Sequence, residues 1–144
     1  IRYLPLALAD LQDLEARTAL ARASLYGGMT IAQGSTTLQH SIGYPLTSTF
    51  NVPHGLANGI VMKQMMELYW PVAGKLIDEA FASFGFSRHR FYDWLDKLEL
   101  KAAMSIDEDF IVAKVPEVMA SRNMANNPTQ VSPEQVASIY RSLI

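Results

Sequence analysis

His40-Ser41-Ile42-Gly43-Tyr44-Pro45-Leu46-Thr47-Ser48-Thr49-Phe50-Asn51-Val52-Pro53-His54-Gly55 is the stretch on which the reading of this chain turns. It holds two of the 3 histidines, His40 and His54, 14 positions apart. Between them lies the least helix-like segment of the first half, with Pro45, Thr47-Ser48-Thr49, Asn51 and Pro53. A helical pattern resumes at each histidine, so a loop folding back after Tyr44 would bring the two imidazoles together. Paired neutral imidazoles with open coordination positions suit a divalent metal such as zinc or iron. The same spacing also fits a satisfied core histidine followed by one at a helix start.

Outward from that stretch the pattern is helix after helix. On the N-terminal side, Ile1 to Ala9 is short and broken by Pro5, and Asp10 to Asp13 gives an acidic helix start. An alanine-rich helix is expected from Leu14 to about Gln33, with Gly27-Gly28 inside it. Two glycines, each costing about 1 kcal/mol against alanine, suggest close packing on that face. Gly34-Ser35 breaks the helix, and Ser35, Thr36 or Thr37 is placed to cap the next, which carries His40 and is expected to end near Gly43 to Pro45.

On the C-terminal side Pro53 introduces a helix over about 55–70. Pro71 is expected to reset the chain before an amphipathic helix through Phe84, closed by Gly85. Ser87 caps a helix to Leu98, whose His89 sits between Arg88 and Arg90 on a solvated face. Ser105 and Glu108 make a capping-box pattern for a helix that Pro116 should divide. Ser132-Pro133-Glu134 starts the last helix. No alternation long enough for a strand survives, so the fold class is all-α, a single bundle of about six or seven helices.

Composition narrows the classes of function. At 144 residues, with 49% hydrophobic and 18% charged residues, the chain can build one proper core. A formal charge of −2 without a basic run gives no reason to expect nucleic acid as a partner. No apolar run reaches the roughly 18–20 residues of a membrane span. Cysteine is absent, which leaves histidine and carboxylate as the strong metal ligands. The chain opens on Ile1 with no charged-then-apolar leader, and reads as a piece of a longer protein.

Gln39-His40, Gly43-Tyr44-Pro45-Leu46 and Val52-Pro53-His54-Gly55-Leu56-Ala57-Asn58 together resemble the iron-containing, group III alcohol dehydrogenases. Tyr3-Leu4-Pro5, Leu14-Glu15-Ala16-Arg17 and Asn127-Pro128 extend the likeness in diluted form. The resemblance implies the helical C-terminal domain of a dehydroquinate synthase-like two-domain enzyme, spanning 1–144. In it His40 and His54 would be two of four metal ligands, for Fe2+ or Zn2+. The family's Asp-x-x-x-His pair is not found upstream of His40, and no glycine-rich phosphate loop occurs. The partner implied is therefore an N-terminal nucleotide-binding domain absent from this chain, supplying NAD(P). The substrate would be a small alcohol or aldehyde, the setting cytoplasmic, and the chain alone inactive.

Many members carry a histidine where Tyr44 stands. Its phenol, with an ordinary pKa near 10, would donate a hydrogen bond but relay protons poorly near neutrality. Tyr44 is the candidate catalytic residue, and Phe50 and Asn51 are placed to line the substrate pocket. The surface around Gly27-Gly28 and the 40–55 loop is expected to be apolar and to form a homodimer. A helical interaction or scaffold module without catalysis is the competing reading; it requires His40 and His54 to end far apart or tied to backbone carbonyls.

Overall fold

A computed structural model describes residues 1–144 and contains eight α-helices, one 3-10 helix and no strand. The all-α expectation holds, with one helix more than the upper expected number. No helix is long and apolar enough to cross a membrane. The chain divides into two compact units, residues 1–35 and 36–144.

The first unit is a pair of helices, α1 (Tyr3–Ala9) and α2 (Leu14–Gly34). Asp13 starts α2: its carboxylate accepts the Ala16 amide at 2.9 Å, satisfying one of the free N–H groups of the first turn. Ala7 and Ala16 are buried, whereas Leu14, Leu25, Tyr26, Met29 and Ile31 are exposed. The close packing expected at Gly27-Gly28 is not found, because nothing lies within 4 Å of a Cβ added at either position. Ser35, at a positive φ of 61°, ends the unit.

The second unit holds the core. It comprises α3 (Leu38–Phe50), α4 (His54–Ile60), α5 (Met62–Ala82), α6 (Arg88–Lys97), α7 (Glu108–Met119), the 3-10 turn Arg122–Asn126 and α8 (Pro133–Arg141). Leu38, Ile42 and Leu46 recur every four residues along α3 and are fully buried, so one stripe of that helix is the centre of the core. Met65, Ile111, Val118, Val136 and Tyr140 pack around it.

Three prolines sit inside helices, at 45, 71 and 116, where breaks were expected. A helical proline removes one amide and crowds the carbonyls a turn back. Pro45 withholds a donor from the Ser41 carbonyl; one residue on, the Ile42 carbonyl accepts the hydroxyl of the buried Tyr140 at 3.1 Å, which ties α3 to α8. The helix expected over 55–70 is instead interrupted at Val61 and then runs through Pro71 to Ala82. The apolar stripe expected through Phe84 is only partly covered, since Val72 and Leu76 on α5 and Phe84 just past its end are exposed while Phe81 packs on Phe91 at 5.1 Å.

Caps followed the sequence at two helices and departed from it at two. Ser87 accepts the Arg90 amide, and Ser132 with Gln135 forms a full capping box. Asp107, not Ser105, caps α7, accepting the Phe110 amide at 2.8 Å. For α3 none of Ser35, Thr36 and Thr37 serves. Asn127 does so from 89 positions away, its Oδ1 accepting the Leu38 amide at 2.9 Å and the Tyr69 hydroxyl at 2.8 Å. Asn126 donates to the Thr36 carbonyl, and Ser41 bonds Ser121 at 2.9 Å. The start of the His40 helix is thus tied down by residues 121–127.

Candidate metal centre

His40 lies in the first turn of α3 and His54 at the first position of α4. The connection between these helices is only Asn51-Val52-Pro53. The turn therefore falls after Phe50, later than the sequence suggested, and α3 continues six residues beyond Tyr44. Asn51 makes the reversal in the left-handed region, at φ 55° and ψ 29°, a conformation that asparagine tolerates better than most residues. Val52 is buried as the anchor, and Pro53 fixes φ at −51° ahead of α4.

The reversal brings three rings together. The His40 and His54 centroids lie 5.3 Å apart, Tyr44 stacks on His54 at 5.4 Å with an interplanar angle of 11°, and His40 meets Tyr44 edge-on at 6.2 Å. A ring nitrogen stands roughly an ångström from its centroid, so facing imidazole nitrogens at this separation can reach one tetrahedral ion. His40 is half-buried. Burial first, and the neighbouring His54 second, hold its imidazole below the ordinary value and so favour the neutral form a metal requires. Tyr44 is 48% exposed.

Phe50 and Asn51 are not part of this cluster. Phe50 packs on Phe110 at 4.9 Å against the core, and Asn51 serves through its backbone. His89 lies on a solvated face beside Asp93 at 3.5 Å, away from any metal role.

Sequence reasoning passed over a second layer. Asn58 is one turn beyond His54 on α4, and its Nδ2 stands 3.1 Å from His54 Nε2 and 3.0 Å from the His54 carbonyl. Gln39, the residue before His40, donates to the Asn58 carbonyl at 2.7 Å. The Asn58 Oδ1 is buried without a partner, 2.7 Å from where a Gly43 Cβ would be. The i, i+4 spacing of His54 and Asn58 was the available signal.

The two histidines suit a divalent cation by donor type and convergence, but they supply half of a coordination sphere. No group of three or more histidine, cysteine, aspartate or glutamate side chains is placed to hold an ion. A cleft of about 240 Å³ lies elsewhere, lined by Ile60, Lys63, Leu95, Asp96 and Leu100 among others.

Comparison with known proteins extends this picture over the whole chain. Residues 1–144 match the model of the Fe-containing alcohol dehydrogenase family, C-terminal. A long-chain primary alcohol dehydrogenase of Thermoanaerobacter ethanolicus is 23% identical over 160 residues, covering 97% of this chain and 40% of the relative. An NAD-dependent methanol dehydrogenase of Bacillus methanolicus is 37% identical over 60 residues, or 42% of the chain and 16% of the relative. Among solved structures, an iron-containing alcohol dehydrogenase from Thermotoga maritima superimposes with a TM-score of 0.86 at 32% identity, over 99% of this chain and 38% of that one. A sulfoacetaldehyde reductase from Bifidobacterium kashiwanohense, solved with NAD+, gives 0.86 at 25% identity, over 99% of this chain and 40% of that one. The chain thus spans about two fifths of the length of such relatives.

Proposed function

The chain belongs to the Fe-containing alcohol dehydrogenase family, of which it is the C-terminal, helical part, and from that premise we propose that it provides the metal-holding half of an alcohol dehydrogenase. The reading rests on one observation above the others: two imidazoles from separate helices meet at 5.3 Å between centroids. His40 and His54 would hold Fe2+ or Zn2+, with the remaining ligands and the NAD(P) site contributed by an N-terminal nucleotide-binding domain. A cation held there would supply polarisation of the alcohol oxygen, and a nicotinamide would supply the hydride acceptor.

The chain's own residues orient and exclude. Tyr44, stacked on His54, presents a hydroxyl beside the imidazoles and is assigned a hydrogen bond to the substrate oxygen. Burial lowers the pKa of His40 and so favours the neutral imidazole, whose lone pair would serve the ion. Phe50 and Asn51 enter as the wall of a small substrate pocket, through the turn they form ahead of His54. The setting proposed is the cytoplasm, the substrate a small alcohol or aldehyde, and the assembly a homodimer.

The scaffold reading, which requires the two histidines to be far apart or each tied to a backbone carbonyl, is disfavoured by rings 5.3 Å apart and by a His54 Nε2 that faces the Asn58 side chain. The second of two predictions separates the readings, since both leave the isolated chain inactive. The 144-residue chain should show no alcohol-dependent NAD(P) reduction with added Fe2+ or Zn2+. In a protein carrying both domains, His40→Ala or His54→Ala should lower kcat/KM by at least about 100-fold, through loss of metal-assisted catalysis. Wild-type turnover surviving either substitution would remove the mechanism.

A further inference from the structure

Resting on the two-domain reading for the longer protein it invokes, we propose that α2 is a core helix of that protein, enclosed beyond Arg22 by the part that precedes Ile1. Residues 1–35 do not hold this helix by themselves. The side chains they bury are Ala7 and Ala16, both small and both ahead of Arg22. From Ala21 to Gly34 every residue is exposed. Leu25, Tyr26, Met29 and Ile31 are large apolar side chains in that span, 48% to 65% exposed, and Arg22 is its one charge. A helix facing water carries polar and charged groups on the side it presents, whereas one that is apolar all round belongs inside a larger core.

The positions of these side chains round the helix exclude a single partner face. At about 100° per residue, Leu25 and Met29 share one side, Tyr26 stands about 100° round from Leu25, and Ile31 about 120° round the other way. A second copy of α2 laid alongside would cover one stripe about 100° wide and leave Tyr26 or Ile31 in water. Whatever covers this helix must surround it, and the proportions of the relatives supply enough chain. This chain is matched over 97–99% of its length but over only 38–40% of theirs, as a C-terminal part. Gly27 and Gly28 have a use in the same arrangement. Both are unfavourable inside a helix, and neither meets anything within 4 Å among residues 1–144. They leave room for an element that arrives from the preceding part. The homodimer would then use another surface.

Residues 1–144 contain no cysteine, so a thiol placed on α2 can be followed by itself. Leu25→Cys, Tyr26→Cys and Ile31→Cys, one for each side, are labelled with a maleimide in the 144-residue chain and in a protein carrying both domains, and the labelled peptide is read by mass spectrometry. All three should react fast in the 144-residue chain. In the longer protein they should react at least about 10-fold more slowly, because a buried thiol is reached only through local opening. Hydrogen exchange of the unsubstituted amides over 21–34 should slow in the same comparison, and stands in for any variant that does not fold. Gly28→Ala should change sign, raising the melting temperature of the 144-residue chain and lowering that of the longer protein. Equal reactivity in the two proteins would overturn the proposal. Protection on one side only would overturn it too, as would thiols already protected in the 144-residue chain, since the chain or a second copy would then cover its own helix. Reactive thiols in a longer protein that oxidises alcohols would leave the dehydrogenase reading standing. Protected thiols in one without that activity would uphold the core helix and remove that reading.

Discussion

Helices α2 and α3 reach the same conformation by opposite routes. Over 21 residues α2 buries only Ala16, whereas α3 buries six of 13. The sequence of α2 is rich in alanine and carries an Asp13 cap, so local propensity supports it. That of α3 contains Gly43, Pro45 and a Thr-Ser-Thr run, all poor helix formers. It is helical because its apolar stripe is buried, because Asn127 supplies the cap its own residues do not, and because Tyr140 ties the Ile42 carbonyl to α8. Propensity writes a helix into the sequence, while packing places one where the chemistry needs it.

The contrast can be broken most sharply by truncation. Leu46→Ala, at a fully buried position of α3, should destabilise by about 2–5 kcal/mol in urea melts, the range for cavity-forming core changes. Leu25→Ala, at a position of α2 that is 61% exposed, should stay within about 0.5 kcal/mol. Equal losses at both would erase the distinction.

Glycine gives opposite signs. Gly43→Ala brings a methyl to 2.7 Å from Asn58 Oδ1 and should cost about 1–3 kcal/mol as overpacking. Gly28→Ala meets nothing within 4 Å and should raise helix content and stability by up to about 1 kcal/mol. Thermal melting with far-UV circular dichroism reads both.

Tyr140→Phe removes the hydroxyl that serves the Ile42 carbonyl and should cost about 1–2 kcal/mol. Its pH dependence has a definite sign. Burial, reinforced by the charge of Glu117, raises the Tyr140 phenol above the ordinary value. The stabilisation is complete below the unfolded pKa near 10 and is lost as pH rises toward the folded value. Stability of the wild type should therefore fall above that pH, with a shallower alkaline decline in Tyr140→Phe.

The smallest effect is expected at Glu67, whose carboxylate is held below its ordinary value by hydrogen bonds from Tyr92 and then Arg88. That contribution is present above the unfolded carboxylate pKa and is lost as pH falls through the folded one. Because the pair is exposed, Glu67→Gln should only slightly flatten the acid limb of the melting curve.

Much of this was legible in advance, and the exceptions share a cause. Helix starts written by adjacent residues, such as Ser87 and Ser132, could be read directly. The cap on α3 could not, since Asn127 is 89 positions away. The three prolines read as breaks because the rule for proline is local, whereas the burial that keeps α3 helical around Pro45 comes from the rest of the core. The convergence of His40 and His54 was readable from their wording and spacing. The contacts of Asn58 were hidden because they depend on Gln39 and Gly43 from another helix.

The central claim is that His40 and His54 serve one cation, and titration of the 144-residue chain with Co2+, followed by its visible absorption, tests it most directly. A shared site predicts one binding event that either His40→Ala or His54→Ala removes, with the double variant no worse than each single one. Two separate events, each lost with only its own histidine, would contradict it.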